Sequence, residues 1–354
     1  LVATEYLNST SVTAKAGVLI DLPRINYDAN GENGALLLEP SRVNLVTQSE
    51  YINDATWGKN AIGATLNVTS NYGISPDGSE NATRIQASLT GGYADIVQVI
   101  GVSSGNAYTY SVYLKSLSGT PTISFLNDGI ANRLVTLTTE WKRYTFVIPS
   151  AGSLAYPRFL LENNVTSSSA DFLAWGAMLE QGNYSTSYIP TMGTAQTRAA
   201  DGVQILNTDT ANITSGTLFM ELEGGLRDDA GFRFQLATIG SETSNRLFIS
   251  YKSDGKSRMY SIKSGALQAD NTSSTIVSSG NVKIAARFNA NNMKLYMNGS
   301  VVGTDTNCQV PTGLNKIVIG RISDGQIVTR GFLKQAALFN EALSDSELAT
   351  LTTL

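Results

Sequence analysis

The sequence contains no histidine, and this absence removes several kinds of chemistry at once. Histidine is the commonest general base and the commonest ligand for transition metals in proteins. Ser-His-Asp and Cys-His catalysis and histidine-ligated zinc are therefore excluded. The single cysteine, Cys308, excludes a disulfide within the chain, and we interpret it as a small apolar residue near a strand.

Clustered charge and long apolar runs are also missing. The 354 residues include 25 Lys and Arg against 29 Asp and Glu, a formal net charge of -4, and the basic residues are scattered. A nucleic-acid-binding protein needs clustered cations to release counterions from phosphate, so we expect no nucleic acid partner. No apolar run approaches the roughly 20 residues that cross a bilayer, so we expect no membrane insertion.

Two sets of short alternating or apolar segments, separated by turn residues, indicate strands. The first set lies at 94–102, 107–117, 120–128, 133–148, 157–163 and 170–182, and the second at 216–225, 231–240, 246–255, 257–265, 281–306 and 315–325. Abundant Gly, Ser, Thr and Asn are typical of sandwiches and barrels. The sequence therefore predicts an all-β protein with two tandem β-sandwich (jelly-roll) domains, preceded by an extended N-terminal arm.

Breaks in this periodicity set the expected boundaries. Residues 1–33 read as an arm, because Pro23 and the turn-forming cluster at 28–31 interrupt β-prone stretches. A passage rich in Pro, Gly, Thr and Ala at 189–202 breaks the pattern again. We expect an arm and entering strand at 1–48, a first jelly roll at 49–192, a linker at 193–204 and a second sandwich at 205–354.

The stretch GALLLEPSRVNL at 34–45 joins an apolar triplet to two charges around a proline. We predict that residues 36–38 form the strand that enters the first jelly roll. Glu39 and Arg42 are expected to make structural contacts that anchor the arm, and Pro40 to set the turn between them.

Two local signals lie near the C-terminus. Asn298-Gly299, inside KLYMNGSVVG, is the pair best able to adopt the positive φ angles of a type I′ hairpin turn. In FNEALSDSELATL at 339–351, Ser344 or Asp345 can cap a short helix that carries Leu348 and Leu351 on one face.

About the first 200 residues contain a series of motifs in a fixed order: PRINYDANGENGALLLEPSRVNL (23–45), ATWGKN (55–60), SPDGSENATRI (75–85), YTYSVYLKS (108–116), WKRYTF (141–146), AWGAMLEQGNYSTSYIPT (174–191) and TRAAD (197–201). They resemble a jelly-roll carbohydrate-binding-type domain of bacteriophage tail-fibre, appendage and head-decoration proteins. In the C-terminal half, KLYMNGSVVG, KIVIGR and AALFNEALSDSEL are similar to the concanavalin A-like, laminin G-like lectin fold.

The resemblance implies a non-enzymatic virion protein, displayed on the surface of a phage tail or head fibre, that binds a host-surface polysaccharide. Other virion proteins would be its partners, and a homotrimer is favoured because fibres are usually trimeric and the arm offers strands for exchange. Two alternatives stay open. One is a purely structural decoration or spacer module, and the other is the non-catalytic carbohydrate-binding part of a secreted bacterial polysaccharide-degrading enzyme.

Sugar recognition uses flat aromatic rings beside polar side chains that bond hydroxyl groups. In the first jelly roll, loop-like contexts nominate Tyr72, Tyr93, Tyr156 and Arg158 as glycan-binding residues. In the second domain, the laminin G-like resemblance points to the loops YKSDGKSRMY and RISDGQ, which nominate Tyr251, Asp254, Arg258, Arg321 and Asp324. We interpret the three tryptophans, Trp57, Trp141 and Trp175, as structural, because each lies in a framework motif.

Catalysis is expected to be absent, although some concanavalin A-like proteins hydrolyse glycosides with two carboxylates on one strand. Glu221 and Glu223 share a strand face but lack the intervening acid and the third Glu of the hydrolase motif, because Leu222 and Gly225 stand there. We interpret the pair as solvated or ion-paired surface residues. No cofactor is required, and related folds allow a structural Ca²⁺ to which no residue is assigned.

Overall fold

The computed structural model describes residues 24–26, 34–127, 132–149, 152–201, 203–206, 213–223, 232–252, 254–277, 280–320 and 331–354. The chain divides into two compact units, and one is inserted into the sequence of the other. We call residues 42–198 the inserted domain, and residues 24–41 with 199–354 the split domain. The predicted all-β fold class is confirmed, because both units are built from β-sheets, but the domains are not in tandem, because the second begins before the first and resumes after it.

The strands are numbered in chain order. The split domain begins with β1 Arg24–Asn26 and β2 Ala35–Leu38. The inserted domain contains β3 Arg42–Asn44, β4 Gly58–Gly73, β5 Ala82–Val97, β6 Ile100–Gly101, β7 Tyr108–Ser116, β8 Thr122–Asn127, β9 Asn132–Thr136, β10 Lys142–Ile148, β11 Leu154–Glu162, β12 Ser169–Gln181 and β13 Gln196–Arg198.

The split domain resumes with β14 Val203–Leu206, β15 Gly216–Glu223, β16 Phe232–Ala237, β17 Arg246–Tyr251, β18 Ser257–Lys263, β19 Ala266–Thr272, β20 Val282–Phe288, β21 Met293–Met297, β22 Ser300–Asp305, β23 Lys316–Ile319 and β24 Gly331–Phe339. It ends with a helix, α1 Asp345–Thr352. No helix in the described part of the chain is long and apolar enough to cross a membrane.

In the inserted domain, a long bent hairpin connects the two layers. β5 pairs with β12 over residues 83–88 and with β11 over residues 93–97, while β4 follows it along both halves. The bend falls at Gly63 and Gly92, whose φ angles are +55° and +73°. A Cβ atom at Gly92 would collide with the Ile62 carbonyl oxygen, so the turn from one layer to the other requires glycine.

The core of the inserted domain lies between these two layers. It combines side chains of β5 and β12, such as Ile85 and Phe172, with side chains of β11 and β8, such as Phe159 and Phe125. Strand order within the layers is β10-β7-β12-β5 on one side and β5-β11-β8-β9 on the other. Antiparallel strands with one core-facing side explain the alternating pattern in the sequence.

The split domain is a sandwich of a seven-stranded sheet, β1-β2-β24-β15-β20-β21-β22, and a six-stranded sheet, β14-β23-β16-β17-β18-β19. Leu218 and Met220 from the first sheet meet Phe234 and Ile249 from the second in one buried cluster. Helix α1 covers part of the outer face of the seven-stranded sheet, where Leu348 packs with Phe219 and Tyr296.

The stretch GALLLEPSRVNL is divided between the two domains. β2 pairs with β24, so residues 36–38 complete the split domain and do not enter the first jelly roll as predicted. An apolar triplet suits either sheet, and its partner strand lies near the opposite end of the chain. The chain leaves the split domain after Ser41 and returns at Ala199, within the passage expected to be a linker.

Glu39, through its backbone, and Arg42, through its side chain, both have structural partners, while the expected anchoring of the arm lies outside the described residues. The Glu39 amide donates to Asp201 Oδ2 at 2.8 Å, and the Asp201 amide donates to the Glu39 carbonyl at 2.9 Å, both within the split domain. Arg42 Nε lies 3.5 Å from Glu180 Oε2 in the inserted domain.

Both local predictions near the C-terminus are confirmed. Asn298 and Gly299 have φ angles of +47° and +81° between β21 and β22. Ser344 caps α1 in a capping box, because its side chain accepts from the Glu347 amide and the Glu347 carboxylate accepts from the Ser344 amide. The arm predicted at 1–33 lies outside the described residues except for Arg24–Asn26, which pairs with β2.

Candidate functional site

The candidate site lies on the outer face of the β5-β11-β8 layer in the inserted domain. Along β5, Ala94 and Ile96 enter the core. Because side chains alternate along a strand, Tyr93 and Asp95 point to the opposite side of the sheet. Tyr93 is half-buried, whereas Asp95 is only 5% exposed.

The neighbouring strand β11 contributes the other half of the site. Its residues Phe159 and Leu161 enter the core, so Tyr156 and Arg158 share the outer face with the two residues of β5. Tyr156 and Arg158 are both half-buried. We call Tyr93, Asp95, Tyr156 and Arg158 the tyrosine face.

Asp95 holds Arg158 in a fixed orientation. Arg158 Nε donates to Asp95 Oδ1 at 3.0 Å, and Arg158 Nη2 donates to Asp95 Oδ2 at 2.8 Å. Burial raises the pKa of Asp95, and the hydrogen bonds and charge of Arg158 oppose that rise. Arg158 Nη1 takes no part in this pair. A planar guanidinium fixed on one edge can offer its other edge to an oxygen acceptor.

The two tyrosines flank the ion pair along the sheet. Tyr93 lies opposite Glu162 on β11, six residues from Tyr156. At about 3.3 Å per residue, the two rings are separated by about 20 Å along the strand direction. Two half-buried rings on either side of an oriented arginine form an elongated surface with apolar and polar contacts.

Tyr72 belongs to a different surface of the inserted domain. It is 44% exposed, and the guanidinium carbon of Arg84 lies 4.4 Å from its ring centroid. Arg84 is held by Asp171 through hydrogen bonds of 2.8 and 2.6 Å, and Arg84 lowers the pKa of Asp171. These residues lie on the β12 half of the hairpin, so Tyr72 does not join the tyrosine face.

The residues nominated in the split domain are not brought together as a loop site. Tyr251 is a core residue, 3% exposed, and its hydroxyl donates to the Val277 carbonyl. Its burial leaves no ring face for a sugar, so its role is structural. Asp254 is an exposed turn residue with Lys252 Nζ at 3.5 Å and Lys256 Nζ at 3.7 Å.

Arg258 lies on the outer face of the six-stranded sheet, paired with Asp270 through two hydrogen bonds of 2.7 Å. Arg258 was predicted to lie in a loop, but it belongs to strand β18 and lies outside the turn at Asp254. Arg321 and Asp324 lie outside the described residues.

Sequence reasoning missed Asp95, which orients the site. The sequence around Asp95, ADIVQVIGV, does not indicate which residue pairs with this Asp, because Arg158 lies on a strand 63 positions away. The only available signal was an acidic residue inside an otherwise apolar strand, which must be paired when it is buried.

The tryptophans have the structural role that was predicted. Trp57 and Trp175 are each 1% exposed, and Trp175 packs against Tyr188 with ring centroids 4.6 Å apart. Trp141 Nε1 donates to the Ile74 carbonyl at 3.1 Å.

Glu221 and Glu223 lie on the outer side of the seven-stranded sheet, where Glu223 Oε2 is 3.4 Å from Lys334 Nζ. This placement matches the predicted ion-paired surface setting. Across the described residues, no group of three or more acidic, cysteine or histidine side chains converges in a way that could hold a metal ion. The Ca²⁺ suggested by related folds therefore stays a prediction.

Comparison with known families finds a match in the split domain. Residues 226–349 match the family model of the Concanavalin A-like lectin/glucanases superfamily. With its two facing sheets, the split domain is therefore similar to the concanavalin A-like, laminin G-like fold over these residues. A comparison with curated proteins finds no match.

Parts of the chain are also similar to solved structures from three organisms. The SAP-like pentraxin of Limulus polyphemus is 20% identical, with a TM-score of 0.36 over 43% of this chain and 75% of that chain. The CBM40 of Ruminococcus gnavus IT-sialidase is 14% identical, with a TM-score of 0.36 over 44% and 97%. Domain 4 of an extracellular arabinanase from Geobacillus stearothermophilus is 18% identical, with a TM-score of 0.36 over 44% and 73%.

Proposed function

We propose that the protein is a non-enzymatic glycan-binding protein and that the tyrosine face of the inserted domain binds the glycan. The observation that supports this most directly is the Asp95–Arg158 pair between two half-buried tyrosines on one sheet face. Aromatic rings cover the apolar faces of pyranoses, and an oriented guanidinium donates to hydroxyl oxygens. The lectin-type fold of the split domain is consistent with this function.

The dimensions favour an oligosaccharide over a single sugar. Tyr93 and Tyr156 are separated by about 20 Å along the sheet, so one pyranose cannot contact both rings. A chain of several sugars can lie along the face, with its middle units near Arg158. A repeating surface polysaccharide fits this geometry.

A glycan array with the wild-type protein tests the proposal, and the Tyr93→Ala variant locates the site. We expect Tyr93→Ala to weaken binding of the selected glycan by about tenfold, because one stacking surface is lost. Tyr51→Ala is the matched control, since Tyr51 is a 38% exposed tyrosine of the same domain. If the protein bound no polysaccharide, or if Tyr93→Ala bound with unchanged affinity, the proposal would be contradicted.

We further propose that this binding serves a phage virion, with the protein displayed on its surface as a trimer and attached to other virion proteins. The support is the ordered series of motifs that resembles fibre and decoration proteins. Imaging the protein on a purified particle and measuring its mass in solution test the two parts separately. A gene neighbourhood of polysaccharide-degrading enzymes would favour a secreted carbohydrate-binding module instead, and particle attachment without glycan binding would favour a structural spacer.

A further inference from the structure

The outer face of the six-stranded sheet in the split domain gathers three arginines around two aromatic rings. Strand pairing places Phe248 opposite Tyr260, and Ser250 opposite Arg258. It also places Arg233 opposite Ser250 on the other side. We call Arg233, Arg246, Phe248, Arg258 and Tyr260 the arginine–aromatic face.

The two rings form the centre of this face. The centroids of Phe248 and Tyr260 are 5.0 Å apart, with an angle of 24° between the ring planes. The guanidinium carbon of Arg233 is 3.9 Å from the Phe248 centroid, and that of Arg258 is 4.5 Å from the Tyr260 centroid. Phe248 is 2% exposed, whereas Tyr260 is half-buried and keeps part of its ring accessible.

The third cation of this face is Arg246. Its guanidinium carbon lies 6.0 Å from the Phe248 centroid and 5.6 Å from the Tyr260 centroid. Among the described residues, no carboxylate forms an ion pair with Arg246, and its buried Nε has no hydrogen-bond acceptor. A half-buried guanidinium that lacks an anion is costly, and an incoming anion would relieve that cost.

A second buried donor lies in the same region. Gln235 is fully buried, is paired in register with Phe248, and its Nε2 has no acceptor. Its Oε1 is 3.5 Å from Arg233 Nη1. Buried amide donors are nearly always bonded, so an unpaired one on the same sheet face as Arg246 indicates a missing acceptor.

The remaining charges limit how many anions the face can take. Asp270 occupies Arg258 at one edge, and Glu242 lies 3.2 Å from Lys316 at the other. These two carboxylates repel an extended polyanion, whose closely spaced phosphates would pass over both edges. They leave the region around Arg246 open to a single negative group.

We propose that the arginine–aromatic face is a binding site for a carboxylated sugar, separate from the tyrosine face. The carboxylate bonds the Arg246 guanidinium, and the apolar face of the sugar ring lies against the accessible part of Tyr260. A uronic acid unit combines both features in one ring. A single-stranded nucleic acid could also stack on these rings, but the two edge carboxylates disfavour its backbone.

Calorimetric titration of the full chain with galacturonate, which carries one carboxylate, tests this site, and the methyl ester of the same sugar serves as the matched uncharged ligand. We expect wild type to bind the acid about tenfold more tightly than the ester, because only the acid forms a charge-assisted hydrogen bond. Binding should weaken as salt is raised, since the cation is only half-buried.

Two variants locate the site. Arg246→Gln should weaken acid binding about tenfold and leave ester binding unchanged. Lys334→Gln makes the same charge change on the other sheet of this domain and should leave both affinities unchanged. Tyr93→Ala should also bind the acid with wild-type affinity. This result would show that the acid binds away from the tyrosine face, whether or not a neutral glycan binds to the tyrosine face.

Three results would overturn the proposal. Equal affinity for the acid and the ester would show that charge is not recognised. Equal loss in Arg246→Gln and Lys334→Gln would show a general electrostatic effect. Tighter binding of a thymidine oligonucleotide than of galacturonate would identify a nucleic acid surface instead. Thermal unfolding of Arg246→Gln confirms folding, and Tyr260→Thr, which removes the ring and keeps all charges, provides an independent test.

Discussion

Asp95 accepts two hydrogen bonds from Arg158 while its side chain is only 6% exposed on the outward side of a sheet. Burial alone would favour the neutral acid, and it raises the pKa of Asp95 despite the arginine. The pair therefore contributes orientation more than stability. It fixes a half-buried arginine, 18% exposed in its side chain, between two tyrosines.

Asp95→Asn should lower the free energy of unfolding of the inserted domain by about 1–3 kcal/mol, because Arg158 keeps its charge and loses its anion. Asp171→Asn is the matched control, since Asp171 makes a similar two-bond pair with Arg84 but is 25% exposed. Asp171→Asn should lower the free energy of unfolding by at most about 1 kcal/mol. All three tryptophans lie in the inserted domain, so their fluorescence in urea reports its unfolding. Equal losses would contradict the role assigned to burial.

The features predicted correctly from the sequence depend on neighbours within a few positions. Asn298-Gly299 specifies its own turn, and Ser344 with Glu347 specifies the start of α1. The alternation that identified the strands is equally local, and it was sufficient for an all-β fold. Such signals require no knowledge of which strands pair.

Features that depend on pairing could not be predicted in this way. Arg233, Arg246 and Arg258 look scattered in the sequence, yet the register of β16, β17 and β18 collects them on one face. Residues 36–38 read as a strand, but their partner β24 could be found only from the folded chain. We expected no nucleic acid partner because the basic residues are scattered along the sequence. Since three arginines lie together on the arginine–aromatic face, the oligonucleotide titration is needed to test that expectation.

The pH dependence of the inserted domain should include a contribution from Glu180. This residue is fully buried, and desolvation raises its pKa although Thr186 donates to both carboxylate oxygens at 2.7 Å. An acid whose pKa is higher in the folded state binds more protons there. Stability therefore falls as pH rises from the unfolded value of about 4.3 through the raised folded value, and is then constant.

Glu180→Gln removes this titration, so the variant should gain stability relative to wild type across the same pH range. Urea unfolding followed by tryptophan fluorescence, in steps upward from about pH 4, measures the difference. Glu140→Gln, at an exposed position, makes the same charge change and should show no such trend. A difference between wild type and Glu180→Gln that stays flat with pH would contradict the assignment.

Gly92→Ala should destabilise the inserted domain much more than Gly78→Ala. Both glycines have positive φ angles, +73° and +84°, so both substitutions carry a backbone cost of about 1–2 kcal/mol. Only at Gly92 does the new Cβ also strike the Ile62 carbonyl, which adds about 1–3 kcal/mol. Gly78 has open space around it. Similar urea midpoints for the two variants would contradict this prediction and show that the backbone at the bend can shift to accommodate the Cβ at little cost.

The domain boundary after Ser41 predicts opposite effects of two substitutions eight positions apart. Leu38→Ala opens a cavity in the split domain, at a cost of about 2–5 kcal/mol, and should speed labelling of the buried thiol of Cys308. Val46→Ala affects the core of the inserted domain and should shift the tryptophan transition in urea. If Leu38→Ala shifted the tryptophan transition and left Cys308 protected, residues 36–38 would belong to the first jelly roll, as the sequence alone suggested.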